Sequence, residues 1–123
     1  MPEKDLAWIG SSLDDLKAFP EAVRQDVGYA LHLVQHGEKP VSAKPLKGFK
    51  GAGVLELVER HDGDTYRAVY TVKLAGRVYV LHAFQKKSKK GIATPKPEID
   101  KIKQRLAVAE QEHEQWLKQQ KTR

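Results

Sequence analysis

The chain has 123 residues, 40% of them hydrophobic, enough for one domain with one core and too few for two comfortable ones. It has no cysteine, which excludes a disulfide framework, a thiolate metal site and a cysteine nucleophile. No apolar run approaches the ~18 residues of a membrane span, and MPEKDLAWIG carries early acids and no run of signal length, so a soluble, cytoplasmic chain without membrane contact is expected.

The net charge of +6 conceals an asymmetry. Residues 1 to 38 hold 3 basic and 7 acidic side chains, residues 39 to 105 hold 16 and 6, and residues 106 to 123 hold 3 and 3, for balances of −4, +10 and 0. The positive charge belongs to the middle of the chain, where a polyanion such as nucleic acid is the expected partner.

In chain order, residues 6 to 9 form a short apolar stretch that reads as a strand and ends at Gly10. Ser11 or Ser12 caps a short helix through Phe19, with Asp14 and Asp15 in the first turn, where the helix dipole favours acids. Pro20 suits the first position of a second helix, in which Val23, Val27, Leu31 and Val34 recur at helical spacing until Gly37 stops it. Residues 38 to 53 hold two prolines, three glycines and four lysines without a sustained period, and read as a basic loop. Residues 54 to 60 and 65 to 74, separated by His61-Asp62-Gly63-Asp64, predict a hairpin, and Ala75-Gly76 turns the chain into a third antiparallel strand. Val78, Val80 and Phe84 alternate with Tyr79, Leu81 and Ala83, so the sheet needs cover on both faces. After Pro97, a helix carries Ile99, Ile102, Leu106, Ala109, His113 and Trp116 in one seam, and residues 107 to 123 read as its polar extension. The expected fold class is α+β in the order β-α-α-β-β-β-α: one domain over residues 1 to 123, with a small antiparallel-rich sheet, an N-terminal helical hairpin and a long C-terminal helix.

Several groups of residues suggest chemistry. Hairpin geometry brings the end of the first meander strand, the start of the second and the end of the third together, so Arg60, Arg67, Lys86 and Lys87 should cluster at one end of the sheet. Arginine suits bidentate phosphate contact and lysine adds point charge. The alternative is a solvated basic rim balanced by Glu56, Glu59, Asp62 and Asp64. Opposite in chain terms, Lys44, Lys47 and Lys50 lie in the loop before the first meander strand. His32 and His36, four apart on the second helix, offer half a metal site, but no spacing motif signals a third ligand, so they read as surface or boundary histidines and no metal is expected. GFKGAG lacks the Lys-Ser/Thr pair and following helix of a P-loop, and no spacing nominates a serine triad. His82, inside an apolar strand, reads as a satisfied core histidine, while His61 beside the turn is a minor acid/base candidate.

KPLKG at 44 to 48, GVLELVER, DTYRAVYTV, and VYVLHAFQKKSKKG followed by PEIDKIKQRL together resemble the RelE/ParE superfamily of bacterial toxins over roughly residues 5 to 107. The likeness is to the HigB-like, phage-associated branch of type II toxin–antitoxin proteins. The resemblance implies a toxin that cleaves mRNA at the ribosome without metal or other cofactor. It also implies neutralisation by a helix-turn-helix, HigA-like antitoxin, through which alone the toxin meets operator DNA. Carried over by position, Arg67 matches the arginine set against the scissile phosphate, and Lys86 and Lys87 match the basic pair ending the last strand. Lys89 and Lys90, with Lys44, Lys47, Lys50 and Arg60, would hold RNA or ribosome. Two departures stand out: Glu56 and Val58 replace strand lysines of the family, and SKKGIATPKP lacks a tyrosine that some members carry there. Glu56 is then either a base or a salt-bridge partner of Arg67. A ParE-like toxin acting by binding alone, and a phage-derived accessory protein, are the alternative functions.

Overall fold

The computed structural model describes residues 3–49, 51–86 and 94–121. β1 (Asp5–Trp8) leads to α1 (Ser12–Lys17) and α2 (Glu21–Gln35), followed by β2 (Ala43–Pro45), β3 (Val54–His61), β4 (Asp64–Thr71), β5 (Arg77–Lys86) and α3 (Lys96–Lys121). The sheet order is β1-β5-β4-β3-β2, with β1 parallel to β5 and the other neighbours antiparallel.

The α+β class, antiparallel-rich sheet, helical hairpin and long last helix are as expected. The sheet is mixed, because β1 docks on the edge of β5 in the same direction. The stretch read as a loop contains β2, so the order is β-α-α-β-β-β-β-α. Three residues including a proline carry too little periodicity to be read as a strand, and an edge strand tolerates the missing donor of Pro45. Pro20 precedes α2 as its cap residue instead of opening its first turn.

Both faces of the sheet are covered. Val23, Val27, Ala30, Leu31 and Val34 of α2 pack with Leu16 and Phe19 against Leu57, Ala68, Tyr70, Val78 and Val80. Ile102 and Ala109 of α3, with Leu46 and Phe49, pack on Val69, Tyr79 and Leu81 of the other face. Each fully buried aliphatic side chain contributes about 1.5–3 kcal/mol, so these two layers supply the main stabilisation. Burial alone pushes the Tyr70 phenol up to about 12. His113 is buried too, and Trp116 lies 5.3 Å from the Arg77 guanidinium, so α3 remains on the sheet well past Leu106.

The strand β5 carries one irregularity, which re-aims its last residues. Tyr70 pairs with Val80 and Val69 with His82, which leaves Leu81 as an extra residue in β5. An inserted residue reverses the facing of every side chain beyond it. Ala83 therefore joins Val78 and Val80 on the α2 side, while Phe84 joins Tyr79 and Leu81 on the α3 side, reversing the alternation expected there. Arg105 of α3 secures the bulge: its Nη1 donates to the Leu81 carbonyl at 3.0 Å and to His82 Nδ1 at 3.2 Å, and its Nη2 donates to Ser11 Oγ at 2.9 Å. Because a guanidinium only donates, His82 carries its proton on Nε2, which donates to Glu98 Oε2 at 2.6 Å. Burial, aided by the Arg105 and Lys101 cations, holds His82 below its ordinary value against the opposing pull of Glu98. His82 is thus the satisfied core histidine that its apolar strand implied.

Candidate functional site

Three cross-strand rows build the site. Thr65 of β4 pairs with Arg60 on one side and Lys86 on the other. One row inward, Arg67 lies between Val58 and Phe84, and the next row runs from Glu56 through Val69 to His82. Directly paired residues share a sheet face, so Arg60, Arg67, Lys86 and Glu56 all project to the α3 side. β2 adds Lys44 opposite Glu56. The connection between β3 and β4 is tight: Asp62 and Gly63 have φ of 49° and 82°, the left-handed pair that a two-residue hairpin turn demands.

These elements enclose a cleft of ≈ 910 Å³, with Lys44, Lys47 and Gly48 along one wall, Thr94 and Ile99 along another, and the turn His61 to Asp64 at its rim. Lys44, Lys47, Arg60, Arg67 and Lys86 face it, against the carboxylates of Glu56, Asp62 and Asp64, an excess of two positive charges. A concave surface with that excess focuses a positive potential and suits an anionic ligand.

At the cleft floor, Arg67 Nη1 donates to Glu56 Oε1 at 2.8 Å, with the two side chains only 4% and 9% exposed. The Thr94 hydroxyl donates to Glu56 Oε2 at 3.2 Å and accepts from Arg67 Nη1 at 3.4 Å. Both Glu56 oxygens are therefore engaged, and of its two sequence-based roles the ion-pair partner is the one observed. His61 is a third exposed at the rim, with Nε2 3.3 Å from Asp62 Oδ2.

Arg60, Arg67 and Lys86 meet at the end of the sheet where hairpin geometry puts them, with the β5 bulge turning Lys86 to the cleft face. Lys44 and Lys47, opposite in chain terms, join them because β2 folds back along β3. Lys50, Lys87, Lys89 and Lys90 lie outside the described residues. His32 in the last turn of α2 and His36, its C-cap residue, do not line the cleft. Sequence reasoning does not find Thr94: it lies 27 positions from Arg67 and 38 from Glu56, and a lone threonine before a proline carries no local signal.

The free-state structure of a double arginine-to-alanine mutant of E. coli toxin RelE is similar, with a TM-score of 0.51 and 19% identity, covering 67% of this chain and 82% of that one. The toxin–antitoxin complex RelBE2 from Mycobacterium tuberculosis gives a TM-score of 0.47 and 20% identity, covering 69% of this chain and 100% of that one. The first likeness shows a RelE-like fold. No curated protein matches the sequence significantly. The model of the family described as phage-derived protein Gp49-like matches residues 14–107, which takes in α2, the whole of the sheet but β1, and every described side chain assigned to the cleft. The chain therefore belongs to the phage-derived, Gp49-like family.

Proposed function

We propose that this protein is the toxin of a type II toxin–antitoxin system, a RelE-type endoribonuclease that cleaves mRNA in the bacterial cytoplasm at the ribosome. The observation that carries the reading is the convergence of Arg60, Arg67 and Lys86 from three strands into one electropositive cleft of a RelE-like fold. A substrate 2′-OH attacks the adjacent phosphorus, the P–O5′ bond breaks, the departing O5′ takes a proton from water, and a cyclic phosphate and a 5′-OH end result. Arg67, Lys86 and the Lys87 that follows stabilise charge on the phosphate, while Arg60, Lys44, Lys47, Lys50, Lys89 and Lys90 hold the RNA and ribosome through salt-sensitive contacts. His61 at the rim takes the 2′-OH proton; Glu56, with both oxygens engaged, serves to position Arg67. A helix-turn-helix antitoxin of the HigA-like kind neutralises the toxin.

A second reading is favoured by one observation. Arg67 is only 3% exposed and bonded to Glu56, an arrangement that suits a structural pair as well as a phosphate clamp. On that reading the protein is a ParE-like toxin that acts by binding. Induction in bacteria with mapping of mRNA 5′ ends separates the two. Growth arrest with new 5′ ends that disappear in folded Lys86→Ala and Arg67→Lys proteins supports the nuclease; arrest with intact mRNA overturns it in favour of the binding toxin.

A further inference from the structure

The geometry points to a site for a divalent cation of borderline softness, Zn²⁺, formed by Glu3, His32 and His36 on the α2 side of the sheet, opposite the cleft. All three side chains are exposed, and one ligand atom from each lies within 4.8 Å of the others. The two imidazole centroids are 4.4 Å apart, one helical turn along α2. Tetrahedral Zn²⁺ with bonds of ~2.0–2.2 Å needs ligand atoms about 3.4 Å apart. Rotation of exposed side chains about their own torsions closes that difference without moving the backbone.

Two observations beyond proximity favour an ion. His36 Nδ1 is 2.9 Å from the His32 carbonyl, which only accepts, so Nδ1 carries the proton and Nε2 keeps its lone pair for a metal. Ligating histidines typically fix their tautomer with this kind of second hydrogen bond. The segment bearing Glu3 is also tied to the end of α2 from both sides: Lys4 N donates to the Gln35 carbonyl at 3.0 Å, and Gln35 Nε2 donates to the Lys4 carbonyl at 2.7 Å. That clasp holds the carboxylate beside the histidines before any ion arrives. The trio surrounds the C-terminal turn of α2, where the helix dipole favours positive charge.

Two imidazoles and one carboxylate match zinc, and leave a fourth position for water or a side chain from another protein. Magnesium prefers oxygen ligands and should not compete. The bound ion would staple the start of β1 to α2. The site stands or falls independently of the toxin reading, since none of its residues lines the cleft.

The test is calorimetric titration of the chelator-treated whole chain with ZnCl₂, with thermal melts in parallel. One saturable equivalent and a raised melting temperature are expected, with no response to MgCl₂. His32→Ala and His36→Ala should each weaken binding at least about tenfold, since loss of even an outer partner of a ligand costs ~10–100-fold. Glu3→Gln should weaken it by a similar factor. Circular dichroism checks that the variants fold, which their exposed positions favour. Absence of saturable uptake, or uptake unchanged in the His32→Ala/His36→Ala double variant, overturns the assignment.

Discussion

Arg67→Ala is the most informative single perturbation of the cleft, and its first effect is on stability. It removes the guanidinium from a Glu56 carboxylate that is only 9% exposed and keeps Thr94 as a hydrogen-bond donor. Removing one member of a buried pair costs about 3–5 kcal/mol, because the remaining charge is desolvated without its counterion. A domain has only about 5–15 kcal/mol in total. At this length 1 kcal/mol moves the melting temperature by roughly 3–5 °C, so the expected fall is about 9–25 °C. Replacing both members, Arg67→Met with Glu56→Leu, should recover most of the loss, since an apolar pair of similar volume removes the stranded charge. Thermal and urea unfolding of the wild type, Arg67→Met, Glu56→Leu and the double variant form a complete cycle, with Arg67→Ala measured beside it. An Arg67→Ala protein that melts within about 3 °C of wild type, or a double variant no better than the worse single, would show that Glu56 bears burial without its counterion at little cost. Activity of Arg67→Ala must accordingly be measured well below its own melting temperature, where a lost cut reports chemistry and not unfolding.

Other positions yield sharper contrasts. Gly76 and Gly48 share a φ of 93°, but a Cβ at Gly76 would lie 2.8 Å from the Trp116 ring while one at Gly48 meets nothing within 4 Å. Both alanine variants should lose about 1 kcal/mol or somewhat more to backbone strain, and Gly76→Ala a further ~1–3 kcal/mol to the clash; equal losses in urea unfolding would show that Trp116 yields without cost. His82 is held below its ordinary value, so as the pH falls the unfolded chain takes up the proton first. Its contribution is complete above about pH 6.5 and is lost as the pH drops from there towards the lower folded value. Glu59, raised mainly by burial and then by Asp26, acts in the opposite sense, its contribution present below the ordinary value of 4.5 and lost as the pH rises through the folded value. His82→Gln should therefore flatten the melting temperature between pH 7 and 5, and an unchanged slope would exclude His82 as its source. Thr94→Val removes the hydroxyl between Glu56 and Arg67 and should cost ~1–3 kcal/mol, as expected for loss of a bond to a buried charge; a neutral result would mean that the ion pair needs no third member.

How much of the fold and the cleft is legible in the sequence depends on how far each feature relies on distant packing. Chain order alone brings Arg60, Arg67 and Lys86 to the same end of the sheet, because Asp62-Gly63 is a strong turn and antiparallel strands have fixed ends, but it does not say which face Lys86 takes. Lys44 and Lys47 cannot be placed that way, because their place depends on three residues pairing with β3, a strand too short to have a period. The sequence leaves Glu56 two roles because it does not show the partner; the 2.8 Å contact with Arg67 shows it. Thr94 joins only once α3 has docked and brought the preceding residues to the cleft wall, a tertiary event with no local trace.

Lys86 is the instructive case, since it lies in the cleft with Arg67 although simple alternation along β5 would place it elsewhere. Strict period-two facing puts residues 78, 80, 84 and 86 on one side of the sheet, the side that proves to be filled by α2. Lys86 would then have been carried away from Arg67. The extra residue Leu81 turns Phe84 and Lys86 to the α3 side, Phe84 into the row of Arg67 and Lys86 into the row that holds Thr65 and Arg60. A bulge in a strand that is apolar on both faces leaves no mark in the hydropathy pattern, because either register buries nonpolar groups. What marks it is a polar residue on another element, Arg105, which takes the Leu81 carbonyl and the adjacent His82 nitrogen at once. The same arginine reaches Ser11 between β1 and α1, so the register that aims Lys86 into the cleft is held by contacts from the opposite end of the chain.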